Sequence, residues 1–546
     1  MAAGRPLNPA RAHAMGLVDR LAPLDRLEKA ARELVTQLAS RFPGRRPPRS
    51  GRARLLDGLV CWLPPLRWLI FSRIRKKVAA QAGPHYPAPL AIVEAVAASC
   101  WLRRKNGFRR ERELFARLVL GDVCRHLVGL FFLHRESRKW YLPAEERAHA
   151  QEIQTVAVLG AGVMGAGIAL QAASKGLEVI LRDISDAALD TAVGRIRSRL
   201  KERVEKHRLS REDMEALLRR IQPVTDLGPL AGADLVIEAV VEEMGLKQRV
   251  LLEASKAAPK ALLATNTSAL SVAEMASPLS DPGRLAGLHF FNPVEKMPLV
   301  EIILPERASA GLLAPLARFI HHLGKSAVKV KDSPGFLVNR VLSVYLGEAV
   351  QMVVEGFSIR SVDGLMRRFG MPVGPLELLD QVGLDVAGKV VQTLRSAFPH
   401  RLPPVDLLAR MMEKGRTGQK SGAGFYRHGA GMVPDQEGVV RLAGLKVSRF
   451  REAKKEDLSR LVHPMLGESA RCLADHVVGR PAEIDLAMVM GIGWPPFSGG
   501  PLRHADEMGL DVLVASLEAL ARRHGERFRP PPLMVEMVRE GRRFHS

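Results

Sequence analysis

The sequence predicts an α/β domain on a largely parallel sheet, preceded by a basic helical region and followed by two copies of one all-helical domain. Three observations predict it. Short apolar runs alternate with helical spacing from Thr155 to about residue 330, such runs stop after Asp332, and three motifs of the last third recur in order some 120 residues apart. With 546 residues, 47% of them apolar and 25% charged, the chain has material for several domains and is far from a disordered composition.

The N-terminal part comes first. Leu24–Leu38 has helical spacing, residues 41–54 (RFPGRRPPRSGRAR) read as a linker, and apolar helical stretches follow to about residue 150, broken at Pro87 and Pro89. The net charge of +23 is concentrated here: residues 1–150 carry 29 Lys+Arg against 12 Asp+Glu, the remainder 52 against 46. The larger part is nearly balanced, so no nucleic-acid partner is expected. The most apolar stretch, Leu55–Phe71, is interrupted by Asp57, Pro64, Pro65 and Arg67 and is too short to span a bilayer. It reads either as a buried helix pair or as a helix lying on a surface. The first 40 residues contain no apolar core of a secretory signal. Four cysteines without a CxxC pair argue against a disulfide framework or a cysteine zinc site, and no metal is expected. A cytoplasmic location is expected.

In the sheet region TVAVLG leads into Gly160-Ala161-Gly162-Val163-Met164-Gly165 and then a helical pattern. A G-x-G-x-x-G that follows a strand and opens a helix is a dinucleotide-binding signature of the Rossmann type. Gly160 permits the tight turn, Gly162 lets backbone approach a pyrophosphate, and Gly165 lets helix and strand pack closely. The helix N-terminus offers free N–H groups to the phosphates. Asp183 ends the second run, EVILRD, and a carboxylate there accepts from ribose hydroxyls and repels a 2′-phosphate, so NAD is expected over NADP. Further runs are 235–240, 261–265, 284–291 and 299–304.

Glu301 stands out inside the apolar run LVEIIL, because a buried carboxylate is costly unless paired. His289, ending the preceding run, is the nearest candidate, with Asn292-Pro293 as a turn between. A Glu bonded to one ring nitrogen fixes the tautomer and raises the basicity of the other, which makes a general base. By spacing alone a structural histidine and a salt-bridged glutamate fit as well; the neighbouring dinucleotide motif favours catalysis.

In the helical part LGEA (346–349) recurs as LGES (466–469), GMPVGP (370–375) as GWPPFSGGP (493–501), and DQVGLDV (380–386) as DEMGLDV (506–512). Three ordered matches imply a duplicated domain.

Taken in order, GAGVMGAGIA, EAVVEEMGLK, NTSAL, GLHFFNPVEKMPLVEII and KDSPGFLVNR closely resemble the L-3-hydroxyacyl-CoA dehydrogenase family. With the helical repeat they look like the dehydrogenase half of the α-subunits of fatty-acid β-oxidation complexes, over about residues 151–546. The resemblance implies NAD-dependent oxidation of L-3-hydroxyacyl-CoA thioesters, with His289 as base and Glu301 as its partner. It puts Ser268, Asn292 and Asn339 at positions that hydrogen-bond substrate or nicotinamide. It implies cofactor contacts from Met164, Asp183, Val240, Val241, Glu242, Lys247 and Ser268, and a lysine, Lys420 in QKSGAGFY, that closes over the cofactor. Ser268 follows a strand at the carboxyl edge and Asn339 stands near a helix start; either alone is equally a cap or turn residue. Met490, in MVMGIGWPPF, stands where such α-subunits usually carry an aromatic residue linked to substrate contact, which leaves the acyl-chain preference open.

The same resemblance divides the chain. Residues 1–40 resemble the C-terminal end of a crotonase-like domain, 41–150 a basic helical linker region, 151–331 the NAD-binding domain, and 332–430 and 431–546 the two helical copies. Because 1–150 offers no Gly-rich turn after a strand to make an oxyanion hole, hydration of enoyl-CoA is not expected from this chain. A thiolase subunit, or peripheral contact with an anionic membrane through segments such as LRWLIFSRIRKK, is the partner the resemblance implies. Two rival functions remain: a silent scaffold, which predicts decay of His289, Glu301 or the glycines although all are intact, and another Rossmann hydroxy-acid dehydrogenase.

Overall fold

The computed structural model describes residues 8–15, 17–23, 26–39, 64–139, 141, 152–206, 208–404, 406–429, 431–444 and 450–545. The linker expected at 41–54, Cys61, and residues 55–63 of the apolar stretch lie outside the described residues. The chain divides into two units, Met1–Arg125 and His126–Ser546.

The first unit holds α1 (Pro9–Ala14), α2 (Leu27–Ala39), α3 (Pro64–Ala82), α4 (Ala88–Ser99) and α5 (Arg104–Val119), and the start of α6 (Asp122–Ser137). Pro87 and Pro89 do not interrupt a helix; they begin α4, where the missing N–H costs no hydrogen bond. α3 packs on α4 and α4 on α5. Trp68, Trp101, Phe108, Phe115 and Leu120 remain exposed among many arginines. Among the described residues no helix is long and apolar enough to cross a membrane.

The second unit begins inside α6. His134 Nδ1 meets the Ser326 hydroxyl at 2.9 Å, and the Tyr141 hydroxyl accepts from Lys329 N at 3.0 Å and donates to Glu483 at 2.6 Å. These bonds tie the end of the expected 41–150 region to the sheet, so that region is split near residue 125; periodicity along one helix carries no information about its distant partner.

The sheet unit runs β1 (Thr155–Leu159), α7 (Val163–Ala173), β2 (Glu178–Arg182), α8 (Asp186–Glu205), α9 (Arg211–Arg219), β3 (Ile221–Val224), β4 (Leu235–Glu238), α10 (Met244–Ala257), β5 (Leu262–Thr265), α11 (Val272–Ala276), β6 (Leu285–Phe290), β7 (Leu299–Leu304), α12 (Leu313–His322) and β8 (Ser326–Lys331). The eight strands are ordered β3-β2-β1-β4-β5-β6-β7-β8. All neighbours are parallel except β6 and β7. The order reverses at β1/β4, the switch point where open α/β sheets bind ligands. β1 and β4 are apolar and buried almost throughout, as strands covered on both faces must be.

Beyond the sheet lie α13 (Val338–Val354), α14 (Ile359–Phe369), α15 (Pro375–Val382), α16 (Leu384–Ala397), α17 (Leu407–Glu413), β9 (Tyr426–His428), β10 (Met432–Pro434), α18 (Gln436–Leu442), α19 (Leu458–Ala474), α20 (Pro481–Ile492), α21 (Pro501–Met508), α22 (Leu510–His524) and α23 (Pro532–Glu540). The expectation of purely helical copies needs one correction: β9 and β10 pair as a short antiparallel hairpin, and the expected boundary at 430/431 falls inside it.

The duplication has a physical basis. Asp363 accepts from the amides of Leu376 and Glu377 at the start of α15; Asp485 accepts from those of Leu502 and Arg503 at the start of α21. A Cβ on Gly374 or Gly500 would stand 2.3 Å from these aspartates, which explains the recurring glycine. Asp380 and Asp506 likewise hold the amides of Phe425 and Tyr426 and of Phe544 and His545. Where α13 packs on α19, Arg340 pairs with Glu468 (2.6 Å) and Arg460 with Glu348, a reciprocal set of buried ion pairs.

Candidate functional site

The glycine turn fits a dinucleotide. Gly160 has φ +107° and a Cβ there would lie 2.7 Å from Ala239 O; a Cβ on Gly165 would lie 1.8 Å from Gly160 O. Only glycine satisfies both contacts. Gly162 is different: it caps α7, and a Cβ on it would meet nothing within 4 Å. The space over that helix N-terminus is therefore open, as a pyrophosphate requires. Asp183, just past β2, stands beside the turn, with Oδ2 accepting from Ala161 N at 2.7 Å and Oδ1 from Ser185 N at 3.3 Å.

His289 and Glu301 are directly opposite on the antiparallel pair β6 and β7. His289 Nδ1 donates to Glu301 Oε2 at 2.6 Å. Glu301 is fully buried, and its other oxygen accepts from Leu337 N (3.1 Å) and Val338 N (3.0 Å) at the start of α13. Three of the roughly four lone-pair sites of this buried carboxylate are thus occupied, and the bonds fix its plane. Phe291 and Phe336 flank the imidazole, with ring centroids 4.4 Å and 5.9 Å away.

Beside them, Glu242 Oε1 accepts from the Thr267 hydroxyl (2.7 Å), Ser268 N (2.8 Å) and the Ser268 hydroxyl (3.0 Å). Burial pushes the Glu242 carboxyl up, but the Lys247 ammonium and these hydrogen bonds outweigh it and hold the group below the usual carboxylate range. Asn339 Nδ2 donates to Ser268 O at 2.8 Å, linking α13 to the loop after β5.

A cavity of about 1100 Å³ gathers Met164, Val240, Glu242, Ser268, His289, Asn292, Asn339, Lys420 and Met490 in its walls. Lys420 reaches Asp385 at 2.5 Å across the rim. The glycines and Asp183 lie outside that wall, along the turn. Val241 is exposed at the surface. Lys247, in the first turn of α10, stands beside Glu242. It is fully buried, bonded to both oxygens of Glu238 (2.9 and 3.0 Å) and 3.3 Å from Glu242, and is no part of the cavity wall. Its ammonium supports Glu242 from below. Sequence reasoning missed Glu238, Thr265 and Asn266, which sit at the ends of β4 and β5; a Glu closing an otherwise apolar strand, LVIE, was the signal available.

The model of the 3-hydroxyacyl-CoA dehydrogenase NAD-binding domain matches residues 155–333, and that of the C-terminal domain of the same enzymes matches 335–428 and again 458–544. The fatty acid oxidation complex subunit alpha of Psychrobacter sp. (strain PRwf-1) is 35% identical over all of this chain and 76% of its own length. That of Psychrobacter arcticus is 36% identical, also over the whole chain and 76% of its own. Among solved structures, 3-hydroxybutyryl-CoA dehydrogenase from Escherichia coli K12 is 31% identical, with a TM-score of 0.63 over 71% of this chain and 99% of that one. The dehydrogenase part of multifunctional enzyme 1 from C. elegans is 25% identical, with a TM-score of 0.55 over 75% and 96%.

Proposed function

The chain belongs to the 3-hydroxyacyl-CoA dehydrogenase family, and from that premise we propose which of its residues carry the reaction. It is an NAD-dependent enzyme of fatty-acid β-oxidation that oxidises 3-hydroxyacyl-CoA to 3-oxoacyl-CoA. The open cradle over Gly162 and the close-packed Gly160 and Gly165 fit the dinucleotide. Asp183 would hold the adenosine ribose, and Met164, Val240, Glu242 and Asn292 the nicotinamide half. NAD held there would supply the acceptor for the hydride that leaves C3.

His289 takes the hydroxyl proton of an L-3-hydroxyacyl thioester on Nε2. Its Nδ1–H stays on the Glu301 hydrogen bond, so the lone pair of Nε2 is free for the substrate, and the imidazolium that forms is stabilised by the adjoining carboxylate. The two backbone amides on Oε1 hold Glu301 aimed at the imidazole. Ser268 and Asn339 orient the 3-oxygen and the thioester, and Lys420 closes the rim. The observation that carries the reading is the 2.6 Å His289–Glu301 bond, with His289 in the wall of one cavity together with Ser268 and Asn339. Reduction of acetoacetyl-CoA by NADH tests it. His289→Gln should lose about 10²–10⁴-fold in kcat with NADH still bound, and near-normal turnover in a folded variant refutes the assignment.

The relatives' name supports a place in a fatty acid oxidation complex. The exposed Trp68 and Phe115, on helices carrying many arginines, support a docking face for a thiolase subunit. Capture of a thiolase by the chain, weakened by Phe115→Glu, is the expected result. Binding to anionic vesicles without capture would assign the face to a membrane instead.

A further inference from the structure

A buried cation outside the reacting groups holds the turn that joins the base to its carboxylate. Between β6 and β7 the chain runs from Phe291 to Pro298, and Asn292, Pro293, Met297 and Pro298 of this turn line the cavity. Lys325 lies immediately before β8 and is only 4% exposed. Its ammonium donates to Met297 O at 2.6 Å and to Val294 O. Ser326 N donates to Pro298 O at 2.7 Å. Val294 is itself buried, and a Cβ on Gly167 would lie 3.0 Å from its Cγ2, so the turn also rests on α7.

Carbonyl oxygens of a turn ordinarily face water, because inside the protein each needs a donor. Here two converge on one buried lysine. The acidic residue of the turn, Glu295, is engaged by Arg199 of α8. Burial pushes the Lys325 ammonium down to about 8; Glu295 opposes this and Lys175 adds to it. The group is therefore still mostly protonated at neutral pH, and its charge-assisted bonds are about twice as strong as neutral ones. A buried charge is costly, and what this one holds is the backbone on the C-terminal side of Asn292. Resting on the dehydrogenase reading above, we infer that Lys325 is a positioning residue for hydride transfer, acting through Asn292 by pinning the turn that presents it.

The test uses the full chain with NADH and acetoacetyl-CoA, and NADH affinity is measured separately by titration. Lys325→Met keeps most of the volume and removes the donors. A displacement of about 1 Å at a positioned group costs up to about 10²-fold, so kcat per NADH-binding site should fall about ten- to hundredfold. NADH affinity should stay within about threefold, since the glycine turn and Asp183 are untouched. Asn292→Ala should lower kcat by a similar factor, and adding Lys325→Met to it should cost less than about threefold more, because the two act at one point. Lys325→Gln, which keeps a neutral donor, enters the same cycle if Lys325→Met does not fold. A Lys325→Met enzyme that is less stable yet turns over within about threefold of the parent per binding site assigns the lysine to stability alone and overturns the inference. Additive losses in the double variant also overturn it, since Lys325 would then act elsewhere than through Asn292. Absence of acetoacetyl-CoA reduction by the folded, NADH-binding parent fails the dehydrogenase reading itself and this inference with it, and is distinct because it shows before any variant is made.

Discussion

Replacing Glu301 by glutamine separates the charge of this residue from its shape. The glutamine carbonyl can still accept from Leu337 N and Val338 N, 3.1 and 3.0 Å from Oε1 in the parent. Its NH2 then faces His289 Nδ1, and two donors cannot share a 2.6 Å contact. The imidazole must present a lone pair there, which leaves the proton on Nε2 and removes the base. The equivalent exchange in a serine-protease triad lowers kcat by about 10⁴ for this reason. A loss of about 10³–10⁴-fold, or roughly 4–5.5 kcal/mol in the barrier, is expected here. The assay is oxidation of L-3-hydroxybutyryl-CoA followed by NADH absorbance, with NAD affinity measured separately by titration and unchanged within about twofold. Glu301→Ala should be both inactive and less stable than Glu301→Gln, because two buried amides lose their acceptor at about 1–3 kcal/mol each. A Glu301→Gln enzyme within tenfold of the parent, or a loss explained wholly by weaker NAD binding, would refute the tautomer argument.

Asp183→Ser should narrow the preference for NAD over NADP, read as the ratio of kcat/KM; equal use of both cofactors by the parent would overturn the role given to Asp183. Glu468 lies buried among Arg340, Arg401 and Arg471, so Glu468→Gln leaves guanidinium charge uncompensated and should cost about 3–5 kcal/mol in urea unfolding; a change below 1 kcal/mol would mean that the reciprocal pairs between the helical copies contribute little. Burial pushes the His545 imidazole down, but hydrogen bonds with Asp485 and Asp506 outweigh it and carry the group up to about 9. Its stabilising contribution is therefore complete below pH of about 6.5 and fades as pH rises toward 9. The parent's thermal midpoint should fall over that interval more than that of His545→Gln, and parallel curves would refute the coupling.

Elements whose signal is local were legible in the chain. Gly165 is dictated by a contact within one strand–turn–helix unit, the 1.8 Å that a Cβ on it would leave to Gly160 O, and a spacing of a few residues suffices to read the turn. Glu301 was visible because a carboxylate in an apolar strand demands a partner, and the nearest preceding run carried His289. The duplication was legible because each copy solves the same problem, an aspartate packed against a glycine at a helix start. Folding alone decided the rest. The two amides on Glu301 come from residues 337 and 338, over thirty positions away, and backbone donors leave no mark in composition. Lys247 pairs with both Glu238 and Glu242, which meet it from different ends of the β4–α10 connection, a pairing that spacing along the chain does not reveal. β3 and the β9–β10 hairpin are short and partly exposed, too brief for a periodic pattern to register.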